Sequence, residues 1–157
     1  MPIKKAIEKL ETTGKKQGLP KVFEIDEKMS KRWGTGTCVI PDPKEVDELM
    51  KEVPEGKLTT INDIRKKLAE KHKTNIACPI TTGIFANIAA HAAEEMKAQG
   101  AEKITPYWRT LKVGGEINPK FPGGVEKQKE LLEKEGHRVT KRGTKLFVEG
   151  YEKKLVK

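Results

Sequence analysis

Three helix-start signals in the middle of the chain constrain its fold more than any other feature. Asp42 can cap a helix and precedes a proline that suits the first helical position. Thr60 resembles the first residue of a capping box, and Pro79 marks a third start that Thr81 or Thr82 can cap. Apolar residues recur at helical spacing after each signal. The pattern predicts three consecutive helices, over residues 43–53, 61–72 and 81–97.

The last two of these helices are separated by a short linker at residues 72–80. This spacing suits a helix-turn-helix arrangement, in which the second helix lies in a DNA groove and reads bases with its first residues. Residues 105–122 contain glycine and proline without a clear period, which predicts an ordered loop. A further helix is expected after this loop.

The two ends of the chain show different patterns. Apolar residues at helical spacing predict a short helix over residues 3–13. Residues 14–41 are rich in glycine and lysine, and they are expected to pack as an extended arm or to stay partly mobile. Near the carboxyl end, two apolar segments flank residues 141–144, which is a strong β-hairpin pattern. The expected fold class is therefore mainly α with small β.

The positive charge lies in the flanks. Residues 1–33 carry 9 Lys/Arg against 5 Asp/Glu, and residues 136–157 carry 7 against 2, whereas residues 34–135 carry 16 of each. Basic flanks suit a polyanion partner, because each phosphate that is neutralised releases counterions. They equally suit a surface whose lysines serve solubility.

Several classes of protein do not fit the composition. No apolar run approaches the length of a membrane span, and no apolar stretch follows the first residues as a secretory signal would require. Cys38 and Cys78 form neither a disulfide framework nor a metal site by number or spacing. A cytoplasmic protein without metal or cofactor is expected.

An ordered series of motifs runs through the middle of the chain and resembles the alkylguanine-DNA alkyltransferase family, whose centre reads Pro-Cys-His-Arg-Val. The resemblance covers about residues 42–137. It implies a winged helix-turn-helix-like domain similar to the C-terminal domain of DNA alkyltransferases, between an N-terminal helix and arm (1–41) and a C-terminal basic β-hairpin (138–157). The motifs are Pro54-Glu55-Gly56-Lys57-Leu58-Thr59-Thr60, Thr105-Pro106-Tyr107-Trp108-Arg109-Thr110, Gly123-Gly124 and Leu131-Leu132-Glu133-Lys134-Glu135-Gly136-His137.

The resemblance implies a site that lacks the alkyl-accepting cysteine. In the family, the Cys takes an alkyl group from guanine O6 in DNA, helped by a His that is bridged to a Glu. The matching positions here hold Tyr107, Trp108 and Glu135. A phenol with an ordinary pKa near 10 stays protonated at neutral pH. We therefore expect no alkyl transfer and no enzymatic activity.

Alkyltransferase-like proteins, which carry Trp in place of the Cys, provide the nearest precedent. They bind alkylated guanine in DNA, flip the damaged nucleotide and flag it to other repair factors. By this resemblance, the chain is predicted to be a non-enzymatic DNA-binding protein that recognises alkylated guanine by base flipping. Its expected partners are double-stranded DNA, including alkylated DNA, and DNA repair proteins.

The resemblance and the helix-turn-helix prediction also assign roles to individual residues. Glu135 is expected to support the loop, and an aromatic ring that stacks on a base contributes about 1–3 kcal/mol. The residues predicted to bind DNA or an altered base are Tyr107, Trp108, Arg109, Phe121, Gly123, Gly124, Thr81, Thr82, Gly83 and Asn87.

Several of these residues also have simpler, purely structural interpretations. The aromatic residues can be core, the glycine pair can simply turn the chain, and Glu135 can be an exposed helix residue. The family places an intercalating Arg at the start of the third helix, where this chain has Ile80 instead, either as an apolar wedge or as core.

Two other functions remain open. One is a protein-interaction module that has kept the fold and lost DNA binding, which an apolar patch in place of a basic face on the third helix would favour. The other is an enzyme that uses Cys78, because a thiolate near a helix N-terminus is stabilised.

Overall fold

A computed structural model describes residues 5–156, and its architecture is mainly α with small β sheets, as the sequence predicts. Each of the three predicted central helices is present within two residues of its expected bounds. The helices are α1 (Lys5–Gln17), α2 (Glu27–Trp33), α3 (Pro43–Lys51), α4 (Ile61–His72), α5 (Pro79–Ala98) and α6 (Gly124–Lys134).

Seven short strands form three separate sheets among the described residues. Strands β1, β2 and β4 form one sheet in that order, with β1 antiparallel and β4 parallel to β2. Strand β3 pairs with β5 in parallel, and β6 with β7 forms the predicted hairpin. The strands are β1 (Lys21–Glu24), β2 (Thr37–Ile40), β3 (Thr59–Thr60), β4 (Ile76–Ala77), β5 (Thr110–Leu111), β6 (Val139–Arg142) and β7 (Lys145–Val148).

The N-terminal segment is more ordered than an arm. Helix α1 continues past Gly14, where the sequence predicts its end. A glycine is required at this position because it lies against the cap of α3, and an added Cβ would lie 2.0 Å from Asp42 Oδ2. The stretch expected to be extended or mobile contains β1, α2 and β2 instead. Because β2 pairs with β4, this stretch shares a sheet with the predicted DNA-binding domain. Of the predicted first helix, Ile3 lies outside the described residues.

Two hydrophobic cores organise the molecule. The larger core lies between α1, α3, α4 and α5 and includes Met50, Leu68 and Phe85. The smaller core lies between the hairpin, β5 and α6 and includes Leu111 and Leu132. Burial of one such side chain stabilises the fold by about 1.5–3 kcal/mol. The two cores meet at the ring of Trp108, which packs against both.

Helices α4 and α5 are the predicted helix pair. Thr60 caps α4, and its hydroxyl accepts a hydrogen bond from the Asp63 N–H. The helix ends at Lys73, which adopts a left-handed conformation, and β4 then leads into α5. Helix α5 begins at Pro79, which tolerates the first helical position because its missing N–H has no partner to lose there.

The helices of residues 5–156 include none that is both long enough and apolar enough to cross a membrane.

Substitution of Thr60 tests the start of α4. Thr60→Ala is expected to lower the free energy of unfolding by about 1 kcal/mol, because the helix loses its cap. Urea denaturation measures the change. Thr60→Ser is the matched control, since it removes the methyl group and keeps the oxygen. Equal losses in the two variants would show that the cap contributes nothing.

Candidate nucleic-acid interface

Three aromatic rings from the predicted site form one packed cluster. The Tyr107 ring meets Trp108 edge-on at 5.2 Å between centroids and Phe121 at 5.9 Å. Tyr107 is 0% exposed and Phe121 is 2% exposed, so neither ring presents a face to a DNA base. This corrects the placement predicted for both residues. Both rings pack inside the larger core, because their burial there removes apolar surface from water.

The hydroxyl of Tyr107 has a partner that the sequence analysis missed. It donates a hydrogen bond to Glu94 Oε2 at 3.3 Å, and Glu94 also pairs with Lys127. Burial, together with the Glu94 carboxylate, raises the pKa of Tyr107 above its ordinary value of 10. The phenol therefore stays protonated. Tyr107 and Glu94 lie 13 positions apart on different elements, and no local sequence pattern relates residues at that spacing. This hydrogen bond is therefore not predictable from the sequence.

Glu135 joins three segments of the chain at the base of the site. Its carboxylate accepts hydrogen bonds from Trp108 Nε1 at 2.8 Å and from Arg109 Nη2 at 2.8 Å, and a longer one from the Gly56 N–H at 3.3 Å. Arg109 also donates to the Val53 carbonyl at 2.8 Å. This geometry is that of the predicted loop support, because one carboxylate holds the 105–110 segment and the turn that follows α3 against α6.

The surroundings of Glu135 favour its charged form. Its side chain is 7% exposed and that of Arg109 is 13% exposed. Burial acts to raise the pKa of Glu135, but the hydrogen bonds from Arg109, Trp108 and Gly56 outweigh it and hold the pKa below the ordinary value of 4.5. Trp108 and Arg109 are thereby fixed in place and their polar groups are satisfied.

Trp108 is half-buried and lines a small cavity near the carboxyl end of α5. The cavity has a volume of about 190 Å³. Its other lining residues include Glu94, Glu102 and Lys97. The two carboxylates outnumber the one ammonium group, so the lining has no excess of positive charge to attract a phosphate.

A second group of predicted residues lies in the first turns of α5. Ile80 is 59% exposed and Ile84 is 52% exposed, so neither is core. The two are four residues apart and therefore share one face of the helix. Ile80 and Ile84 thus form an apolar patch on the outward face of the helix. Of the two interpretations of Ile80, an apolar wedge or a core residue, its exposure excludes the core residue.

The polar residues predicted beside this patch differ in their placement. Thr82 is buried and its hydroxyl donates to the Cys78 carbonyl at 2.6 Å, which corrects its predicted contact with DNA. Gly83 faces open space, since an added Cβ there would meet nothing within 4 Å. Thr81 and Asn87 are half-buried, and Thr81 Oγ1 and Asn87 Oδ1 make no hydrogen bond among the described residues.

Gly123 and Gly124 turn the chain into α6. Both have positive φ, 77° and 65°, a conformation that favours glycine. An added Cβ at Gly123 would lie 2.5 Å from Lys127 Cδ. The backbone conformation alone accounts for the glycine pair, without the close approach of a ligand.

The structure therefore divides the predicted site into two groups. The ring cluster and its supports lie near the carboxyl end of α5, whereas Ile80, Thr81 and Gly83 lie at its start. Ile80 and Glu94 are 14 positions apart, which corresponds to about 21 Å along the helix axis. One ligand that touches both groups must span at least this distance.

Neither cysteine is placed as a nucleophile. Cys78 is buried at the start of α5, and Cys38 is fully buried in β2. Burial, with a smaller effect of Cys78, raises the pKa of the Cys38 thiol to about 11. A buried thiol does not reach an alkyl group on DNA.

Two solved structures are similar to the chain. No family model and no curated protein sequence matches the chain. It is similar to a structure of S. pombe Atl1, an alkyltransferase-like protein, in complex with damaged DNA containing O6-carboxymethylguanine. Identity is 20%, the TM-score is 0.49, and the match covers 73% of this chain and 94% of that one. A second similar structure is that of S. pombe ATL in complex with DNA. Identity is 18%, the TM-score is 0.48, and the match covers 73% of this chain and 94% of that one.

Replacement of Glu135 tests the support of the site. Glu135→Gln is expected to lower the free energy of unfolding by about 2–4 kcal/mol, because it leaves the buried Arg109 without its ion pair. Thermal or urea denaturation measures the loss. Glu130→Gln, on the same helix in an exposed pair with Lys134, is the control and should change stability by less than about 0.5 kcal/mol. Similar losses in both variants would contradict the role of Glu135.

The same carboxylate predicts a pH dependence. Because its pKa is lower in the folded state than in the unfolded state, its contribution is complete above the unfolded value near 4.5 and is lost as pH falls through the lower, folded value. Stability of the native chain measured between pH 3 and pH 6 should fall on acidification. The difference between the native chain and E135Q should shrink in the same range. A difference that stays constant with pH would show that Glu135 is not charged in the folded protein.

Proposed function

We propose that the protein is a non-enzymatic duplex DNA-binding protein that places α5 in a groove. The observation that carries this proposal is the outward face of α5, the second helix of the predicted helix-turn-helix pair. Ile80 and Ile84 are exposed on this face, and Asn87 and His91, farther along, are half-buried. These positions follow the helical period, so they form one continuous strip. The second helix of such a pair is the element that enters DNA.

The composition of this strip indicates how it contacts DNA. Residues 79–96 contain no lysine or arginine. Contacts from α5 itself are therefore apolar or uncharged, and Ile80 or Ile84 is suited to press between base steps as an apolar wedge. Attraction to the backbone must come from other elements, such as the hairpin, where Lys141, Arg142 and Lys145 are exposed.

By the family resemblance, this site has no cysteine to accept an alkyl group and no histidine to activate one. The residue at the position of the family's acceptor Cys is Tyr107, a buried and protonated phenol. The residue at the position of the activating His is Trp108, whose N–H is a donor only and is engaged by Glu135. Neither group accepts an alkyl cation, which supports binding without reaction.

Substitution on the α5 strip tests the proposal. Ile80→Glu is expected to weaken duplex binding at least tenfold, because it places a negative charge among phosphates. Fluorescence anisotropy with a labelled duplex measures affinity at two salt concentrations. Val22→Glu is the matched control, since Val22 is 50% exposed on β1 and the charge change is the same. Equal weakening in both variants, or no binding by the native chain at low salt, would contradict the proposal.

Recognition of alkylated guanine, the finer function that the sequence predicts, requires a rearrangement of this structure. A flipped base has no room at the 105–124 segment while the rings of Tyr107 and Phe121 stay packed. Opening the cluster would expose a Tyr side chain and cost stability. We therefore expect affinities for unmodified and O6-alkylguanine duplexes that agree within about threefold.

Titration of the two duplexes at matched salt measures this comparison. A preference of tenfold or more for the alkylated duplex would show that the cluster opens to admit a base. A mass spectrum of the protein after incubation with the alkylated duplex is the companion measurement. An added alkyl mass would contradict the absence of transfer.

The second candidate is a protein-interaction module. Ile80 and Ile84 form an apolar patch where a basic face would suit DNA, which is the feature expected of this alternative. A partner such as a DNA repair protein would cover the patch. Under this candidate the native chain binds no duplex even at low salt, whereas under the first it binds with a strong salt dependence.

A further inference from the structure

Helix α1 is held firmly against α5. The N–H groups of Ala6 and Ile7 donate hydrogen bonds to the two carboxylate oxygens of Glu95 at 2.9 and 3.0 Å. Ala6 and Leu10 are buried against the larger core. The carboxylate thus caps the start of α1 and fixes its direction relative to α5.

This docking places two lysines of α1 beside the outward strip of α5. Lys5 and Lys9 are exposed and four residues apart, so they share one face of α1. Together with Asn87 and His91 they line a cavity of about 230 Å³, whose other lining residues are Ala6, Ile88 and Glu95.

The backbone of a third lysine, on another element, lies beside the same face. His91 Nε2 lies 3.0 Å from the Lys120 carbonyl, and Lys120 is exposed. Asn87 and His91 lie seven and eleven positions after Ile80, which places them on the same face as the exposed isoleucines. The strip is therefore apolar at its start and is flanked by lysines farther along.

We propose that α1 is part of the DNA-binding surface, with Lys5 and Lys9 bound to backbone phosphates beside the groove that receives α5. This inference rests on the proposed function. It gives a role to a helix that lies outside the family-like segment, residues 42–137.

The charge of the region supports this assignment. Helix α5 supplies no cation between residues 79 and 96, so a duplex on its face needs cations from neighbouring elements. The carboxylate of Glu95 is already engaged by two N–H groups of α1, which offsets its repulsion of a phosphate. The half-buried Asn87 amide carries an NH₂ group that can donate a hydrogen bond to a phosphate oxygen.

A pair of double variants tests the inference in the full-length chain. Lys5→Ala with Lys9→Ala removes two cations from the strip. Lys15→Ala with Lys16→Ala removes two from the exposed last turn of the same helix and serves as the matched control. Affinity for a labelled duplex is measured from 50 to 200 mM salt. Circular dichroism checks that both variants keep the native helix content.

The expected result concerns the slope of log K against log salt. The K5A/K9A slope should be shallower than the native slope by about 1.8, since each phosphate contact contributes about 0.9. The K15A/K16A slope should be unchanged. Equal changes in both variants, or none in K5A/K9A, overturn the inference and leave the proposed function intact. No binding by the native chain rejects both.

Inorganic phosphate separates a duplex contact from a free-anion site. If the inference is correct, millimolar phosphate without DNA shifts the NMR signals of Asn87 and His91 weakly and without saturation. Saturable phosphate binding that K5A/K9A abolishes, combined with an unchanged salt slope for DNA, would assign the cavity to a free anion and overturn the inference.

Discussion

One buried carboxylate holds the site together. Glu135, at the end of α6, binds Trp108, Arg109 and the backbone of Gly56, so three segments distant in sequence meet at two oxygen atoms. Such an arrangement is stable only as a whole, because removal of any one partner leaves buried charge or buried polar groups unpaired. The ring cluster packs on this base, and the meeting of the two cores at Trp108 follows from it.

The features predicted correctly from sequence are those determined locally. Asp42 and Thr60 cap the helices that follow them, and a capping signal needs only the next three residues. The hairpin around Gly143 is equally local. The sheet of β1, β2 and β4 was missed because its strands have two to four residues and β2 pairs with a strand almost 40 positions away. Such pairing leaves no periodic pattern in so short a run.

The support of the site was predictable in part, and the orientation of its rings was not. The motif series placed Trp108 beside Glu135, and the indole N–H donates a hydrogen bond to that carboxylate. It assigned Arg109 to DNA, whereas in the structure the guanidinium pairs with Glu135. It did not indicate which way the rings point. A tyrosine in a loop satisfies the same pattern whether it faces solvent or core, and the choice here follows from Glu94, a partner on another element. Thr82 faces inward, and its hydroxyl donates a hydrogen bond to the Cys78 carbonyl in the preceding turn.

The pairing of β2 with β4 has a consequence for how the chain can be divided. Without residues 1–41, β4 would lose β2, its neighbour in the sheet, and expose unpaired N–H and C=O groups next to the start of α5. The small alanines of α5 that face α1 would become solvent-exposed as well. A chain shortened in this way would therefore be prone to self-association. The amino-terminal quarter is a structural part of the domain and not a removable segment.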